Sequence, residues 1–126
     1  MEMAKTDDVT LEKEANYLLV EFTGEFGVES GKRVVDAMLT ASKQCNRDRV
    51  VLDCRKMTGK MPLFAKFEVA VYGGKVVGTI SRLAIIGRPE LIEPDRFVST
   101  VAKNRGVNVE IFSEYDKGVS WALEEE

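Results

Sequence analysis

The strongest constraint on the fold is a short apolar run, 50–52, that is followed at once by Asp53-Cys54-Arg55-Lys56 and then by Met57-Thr58-Gly59. A strand without alternation of apolar and polar residues is typical of burial on both faces, as in parallel sheets of α/β proteins. The charged residues and the glycine predict that this strand ends at Asp53 and that a loop follows. Ligands of open α/β sheets bind at the carboxyl ends of strands, so the loop is the first candidate for a functional site.

Hydrophobic periodicity predicts helices and strands in alternation around that strand. The predicted elements are a hairpin of strands 9–13 and 17–22, a helix from 32 to 46 capped by Ser30, a strand 48–53, a helix from 63 that 75–80 could continue, a strand 81–87, a helix with Pro94 in its first turn and Gly106 as its stop, an edge strand 107–111, and a last helix with a Ser113–Asp116 capping box. Short connections of this kind give right-handed crossovers. The expected fold is α/β, a single domain over 1–126 with a mostly parallel sheet, an antiparallel N-terminal hairpin and about four helices.

Charge and hydropathy narrow the classes of partner. Eighteen basic residues against twenty-one acidic ones give a net charge of −3, so nucleic-acid binding is not expected. No apolar run approaches the roughly 18 residues that span a bilayer, and the N-terminus lacks the apolar stretch of a signal peptide. We therefore expect a cytoplasmic protein without integral membrane association, in which Cys45 and Cys54 are reduced thiols.

The chain contains no histidine. This absence removes the commonest general base near neutral pH and the usual ligand of catalytic metals. We expect no metal, no cofactor and no enzymatic activity. A small hydrolase or transferase that uses Asp53, Lys56 or Cys54 is the weakest alternative, because no coherent acid–base pair accompanies these residues.

Polar residues after the apolar strand are the best candidates for binding. They would converge near the N-terminus of the next helix, where unpaired N–H groups favour an anion. In the alternative interpretation, Asp53 caps the loop, pairs with Arg55, and both residues serve structure alone. The candidate binding residues are Asp53, Arg55, Lys56, Thr58 and Gly59, the aromatic Phe64, and Arg88 at the end of the following strand.

The helix after the glycine turn is more apolar than a surface helix requires. A pocket for a lipid-like molecule beneath this helix is one explanation, and ordinary core packing is the other and the preferred one. The residues concerned are Phe64, Phe67, Val71, Tyr72, Val76 and Val77.

Several segments together resemble the SpoIIAA-like proteins of the STAS superfamily, a group related to SEC14-like (CRAL-TRIO) lipid-binding domains. These segments are 18–26, 51–55 with 58–59, 82–87, Phe97, 101–107, 111–112 and Trp121. The family pattern has a phosphorylatable serine in an Asp-Ser-Ser-Gly context after the third strand. This chain has Lys60-Met61-Pro62-Leu63-Phe64 there, without a hydroxyl, so the standard phosphorylation switch is in doubt and Thr58 is only a weak substitute.

The resemblance implies a non-enzymatic binding or regulatory module, like the STAS anti-sigma-factor antagonists, that acts through the loop after the third strand and the following helix. Its partner would be a protein or a small apolar or anionic ligand. The alternative is a SEC14-like carrier of a lipid-like or other apolar small molecule. Exposed sheet edges also make a homodimer an open alternative.

Overall fold

The computed structural model describes residues 2–5, 8–59 and 62–125. The elements in chain order are β1 (Glu2–Lys5), β2 (Val9–Lys13), β3 (Leu18–Glu25), α1 (Val28–Cys45), β4 (Arg49–Thr58), α2 (Leu63–Tyr72), a 3₁₀ turn (Gly73–Val76), β5 (Arg82–Ile86), α3 (Pro89–Asn104), β6 (Val109–Phe112) and α4 (Tyr115–Ala122).

The six strands form one sheet in which their spatial order is also their order in the chain. β1, β2 and β3 pair antiparallel, whereas β3, β4, β5 and β6 pair parallel. The predicted α/β fold, with its antiparallel N-terminal hairpin and four α-helices, is confirmed. Because each parallel strand is added on the same side, right-handed crossovers carry α1, α2 and α3 to one face of the sheet. α4 follows the last strand and covers the other face.

The strands bury side chains on both faces. Val50 and Leu52 pack with α1 and α3, while Val51 packs beneath α4. Val50 and Val51 are both fully buried. Burial of the apolar run on both faces, as the sequence predicts, is therefore confirmed. The described strands show no reversal of order, so the crevice that usually forms at such a reversal is missing among them.

Two helix starts differ from the sequence prediction. α1 begins at Val28, four residues before the predicted start, and Ser30 lies in its first turn rather than at its cap. The Ser30 hydroxyl accepts a 2.7 Å hydrogen bond from the backbone N–H of Gly27. α3 begins with Pro89, and Pro94 falls in its second turn. The backbone N–H at the first position of a helix has no partner within the helix. Proline, which lacks this N–H, therefore fits at position 89 without the loss of a hydrogen bond.

Smaller differences concern element ends. β1 was not predicted at all, and the chain after Tyr72 continues as a 3₁₀ turn and not as the α-helix considered for 75–80. β6 begins at Val109 rather than at 107. The N-cap of α4 is Glu114, and no side chain caps this helix, so the predicted Ser113–Asp116 capping box is wrong.

Candidate functional site

β4 does not end at Asp53. It runs on to Thr58 and remains paired with β3, so the predicted loop after Asp53 is mostly strand. Glu21 is opposite Asp53 and Thr23 is opposite Lys56, which means that β4 holds one extra residue between them. This is the signature of a β-bulge. The bulge changes the alternation, so that Cys54 and Met57 both pack on the side of α1.

Asp53 and Arg55 form a two-pronged ion pair along β4. The Arg55 Nε donates to Oδ1 at 3.0 Å, and its Nη2 donates to Oδ2 at 2.8 Å. The backbone N–H of Arg55 also donates to Oδ1, at 3.1 Å. Burial would raise the pKa of Asp53, but the hydrogen bonds and charge of Arg55 outweigh burial and hold that pKa below its ordinary value. The carboxylate therefore stays ionised at neutral pH and is a poor proton acceptor.

The pair belongs to a polar cluster beneath α4. The Arg55 guanidinium lies 5.6 Å from the centre of the Tyr115 ring, and the Tyr115 hydroxyl is 2.9 Å from that of Tyr17. Burial, together with the Tyr17 hydroxyl, raises the pKa of the Tyr115 phenol well above its ordinary value. Each of these contacts connects the sheet or the segment before β3 with α4. The alternative in which Asp53 and Arg55 serve structure is consistent with this geometry.

The other predicted binding residues do not all join this cluster. The Lys56 ammonium contacts Glu21 of β3 at 3.1 Å and remains largely exposed. Thr58 is exposed at the end of β4, and Gly59 has a φ of +82°, a backbone conformation that favours glycine. Arg88 is the N-cap of α3, with its Nε 3.6 Å from a carboxylate oxygen of Glu90.

An exposed apolar surface occupies the first two turns of α2. Its members are Leu63, Phe64 and Phe67, which are 63%, 73% and 41% exposed. We call these three residues the α2 patch. The preferred prediction that Phe64 and Phe67 pack in the core is wrong, although Val76 from the same set is fully buried. Sequence reasoning did not single out Leu63 as a binding residue, and its spacing before Phe67 was the available signal.

A cavity of about 100 Å³ lies between the sheet and the helices α1, α2 and α3. Its walls include Cys54 and Met57 of β4 and the buried side of α2 around Ala70. None of the described residues that line it is charged. The pocket considered from sequence therefore has a counterpart in the structure, with Cys54 in its wall and Phe64 outside it.

Metal-binding clusters and membrane-spanning helices are absent from the described ranges. Within 8–59 and 62–125, no group of three Cys, Asp or Glu side chains is arranged to hold a metal ion. No helix in these ranges is both long and apolar enough to cross a membrane. The stretch aligned with the phosphorylation motif includes Lys60 and Met61, which lie outside the described residues.

The fold of this chain is similar to that of known structures. A protein of the DUF3478 family from Shewanella loihica, described as having a SpoIIAA-like fold, matches with a TM-score of 0.61 and 19% identity over 96% of this chain and 99% of that one. The chain has a SpoIIAA-like fold. An anti-sigma factor antagonist from Mycobacterium paratuberculosis matches this SpoIIAA-like chain with a TM-score of 0.66 and 10% identity over 92% and 93% of the two chains.

The predicted resemblance to SpoIIAA-like proteins is thus confirmed at the level of the fold. No protein-family model matches the SpoIIAA-like chain, and no curated protein does. A fold hosts many functions, so the site itself has to carry the functional argument.

Proposed function

We propose that this chain is a non-enzymatic, cytoplasmic regulatory module that binds a protein partner through the α2 patch and the adjoining end of β4. The observation that carries the proposal is the exposure of two phenylalanines and a leucine within five residues of one helix. Exposed apolar groups that cluster in this way mark interaction surfaces, because their burial against a partner is favourable.

The end of β4 would supply the polar margin of this surface. Thr58 and Gly59 are exposed just before the segment that leads to α2, and Lys56 precedes them on the same strand. Interfaces commonly have an apolar centre and a polar rim. Asp53 has a different role in this proposal, because its carboxylate is buried and both of its oxygens are engaged by Arg55.

One structural neighbour supports a protein partner by its description. The Mycobacterium paratuberculosis protein is an anti-sigma factor antagonist, which is a protein that acts on another protein. The absence of histidine and the lowered pKa of Asp53 support a function without catalysis.

The test is affinity capture with the purified chain, followed by titration of each captured protein. Phe64→Ser should weaken binding of the true partner by about tenfold or more, because a central apolar side chain is lost. Val77→Ser is the matched control, since Val77 is 48% exposed but lies outside the α2 patch. Equal binding by wild type and Phe64→Ser would overturn the proposal. So would substrate turnover that disappears in Asp53→Asn or Cys54→Ser.

The second candidate is the carrier of an apolar small molecule, and the cavity favours it. Its volume of about 100 Å³ limits the cargo. Ligand pockets for drug-sized molecules have volumes of roughly 300–1,000 Å³. A two-chain lipid would therefore not be enclosed, and a carrier of this size would take a small molecule. Native mass spectrometry of freshly purified protein tests for such cargo, and a mass equal to that of the chain alone would count against it.

A further inference from the structure

We propose that the cavity beneath α2 is a binding site for one small, uncharged, apolar molecule, about as large as a single aromatic ring or a six-carbon chain. This proposal narrows the carrier function to a defined size and polarity. It does not depend on the α2 patch binding a protein, because the cavity and the patch are formed by different residues of α2.

The cavity exists because α2 is held away from the sheet. α2 packs mainly against its neighbours α1 and α3, whereas α4 packs directly on β4, β5 and β6. The helices also present small residues towards the gap, namely Ala70, Gly73 and Ala102. At Gly73 an added Cβ would meet no atom within 4 Å. Interiors are normally packed as densely as organic crystals, so an unfilled space of this size is unusual.

The walls suit an apolar occupant and not water. A buried water needs about two to four polar partners. Among the described residues of the wall, the only hydroxyl is that of Ser99, and it already donates to the backbone carbonyl of Arg96 at 2.9 Å. An apolar cavity of roughly 150 Å³ stays dry in another protein and binds benzene. At about 100 Å³, this cavity has room for an occupant of that size or slightly smaller.

A gradient of burial shows where a ligand would enter. On three of the strands that line the cavity, an earlier residue is buried and the residue two positions later is half-buried, whereas Phe22 of β3 and Met57 at the end of β4, which also line it, are buried. The pairs are Leu52 and Cys54 on β4, Leu83 and Ile85 on β5, and Val109 and Ile111 on β6. The cavity is therefore less enclosed towards the carboxyl ends of β5 and β6.

Two methionines allow direct observation of binding. Met38 and Met57 both line the cavity, while Ile86 lies beneath α4 on the other face. With ¹³C-methyl labels on methionine and isoleucine, titration with benzene should shift the Met38 and Met57 signals saturably and leave Ile86 unchanged. We expect a dissociation constant on the order of 1 mM for a ligand with so few atoms. Benzoate should bind at least about tenfold more weakly than benzene, because its charge would have no partner among the described residues of the wall.

A filling variant and a matched control test the location. Ala70→Leu should weaken benzene binding about tenfold or more, because the added carbons occupy the cavity. Ala37→Leu makes the same change on α1, outside the cavity, and should bind benzene like the wild type. If Ala70→Leu does not fold, Ala102→Leu fills the same space from α3.

The results separate this proposal from protein docking. Phe64→Ser should keep full benzene binding, since Phe64 does not line the cavity. Absence of saturable shifts at Met38 and Met57 would overturn the cavity proposal, and so would equal binding of benzene and benzoate. Either result would leave the docking test with Phe64→Ser unaffected.

Discussion

The close packing of α4 on the sheet at Gly118 yields a prediction that can be worked out from distances. A Cβ added to Gly118 would overlap Cδ1 of Ile86 and would lie 3.4 Å from Cδ1 of Phe112. Ile86 is fully buried, so it has little room to move. Overpacking of this kind costs about 1–3 kcal/mol, while alanine in place of glycine gains about 1 kcal/mol of helix propensity. The difference leaves a net loss, so we expect Gly118→Ala to lower the free energy of unfolding by up to about 2 kcal/mol.

Urea unfolding followed by circular dichroism measures this change. Gly73→Ala is the matched control, because nothing obstructs its Cβ and its φ is −59°, and it should raise stability by about 0.4–1 kcal/mol. Ile86→Val removes the overlapping methyl group, so Gly118→Ala combined with Ile86→Val should lose less stability than the sum of the two single changes. Simple additivity, or a Gly118→Ala variant more stable than the wild type, would refute the reasoning.

Two further predictions concern the polar cluster beneath α4. Asp53→Asn should lower the free energy of unfolding by about 1 kcal/mol at neutral pH. This value is small for a buried carboxylate because Arg55 is half exposed, so solvent screens the ion pair. The pKa of Asp53 is lowered from 3.8, so the stability that the ion pair contributes is present above that pH and is lost as the pH falls through the folded-state pKa. The urea midpoints of wild type and Asp53→Asn should therefore converge at low pH. A difference that stays constant with pH would contradict the lowered pKa of Asp53. The Tyr115 phenol should ionise at a pH well above 10.0, so Tyr115→Phe should remove the tyrosine signal that appears at the highest pH in an alkaline absorbance titration. Loss of a signal that titrates near pH 10.0 instead would be evidence against the buried hydroxyl pair with Tyr17.

Apolar periodicity predicted most of the fold, because burial of one helix face or two strand faces leaves a regular pattern. The end of β4 was not predictable from that pattern. The charges at Asp53, Arg55 and Lys56 are typical of a loop, but in the folded chain Arg55 satisfies the buried acid two residues away on the same strand. This ion pair depends on the bulge and on the pairing of β4 with β3, which are properties of the assembled sheet.

The candidate site was harder to predict for a related reason. Phe64 was chosen as a candidate, but its sequence environment did not distinguish an exposed aromatic ring from a buried one. The cavity lies beneath α2, which packs mainly against α1 and α3, so the sequence of α2 alone does not predict it. Arg88 was chosen as a cation at the end of the strand that follows β4, and the sequence did not indicate its contact with Glu90 at the start of α3.

The identity of strand order and chain order has a consequence for synthesis on the ribosome. Each strand pairs with one that has already emerged, and no later strand inserts between two earlier ones. The N-terminal hairpin can thus form first, and each following helix and strand can add to its growing edge without rearrangement of what is already built. Throughout elongation, the exposed strand edge on that side belongs to the newest strand, so a pause after β4 or β5 would leave a partial sheet that the next strand can still complete.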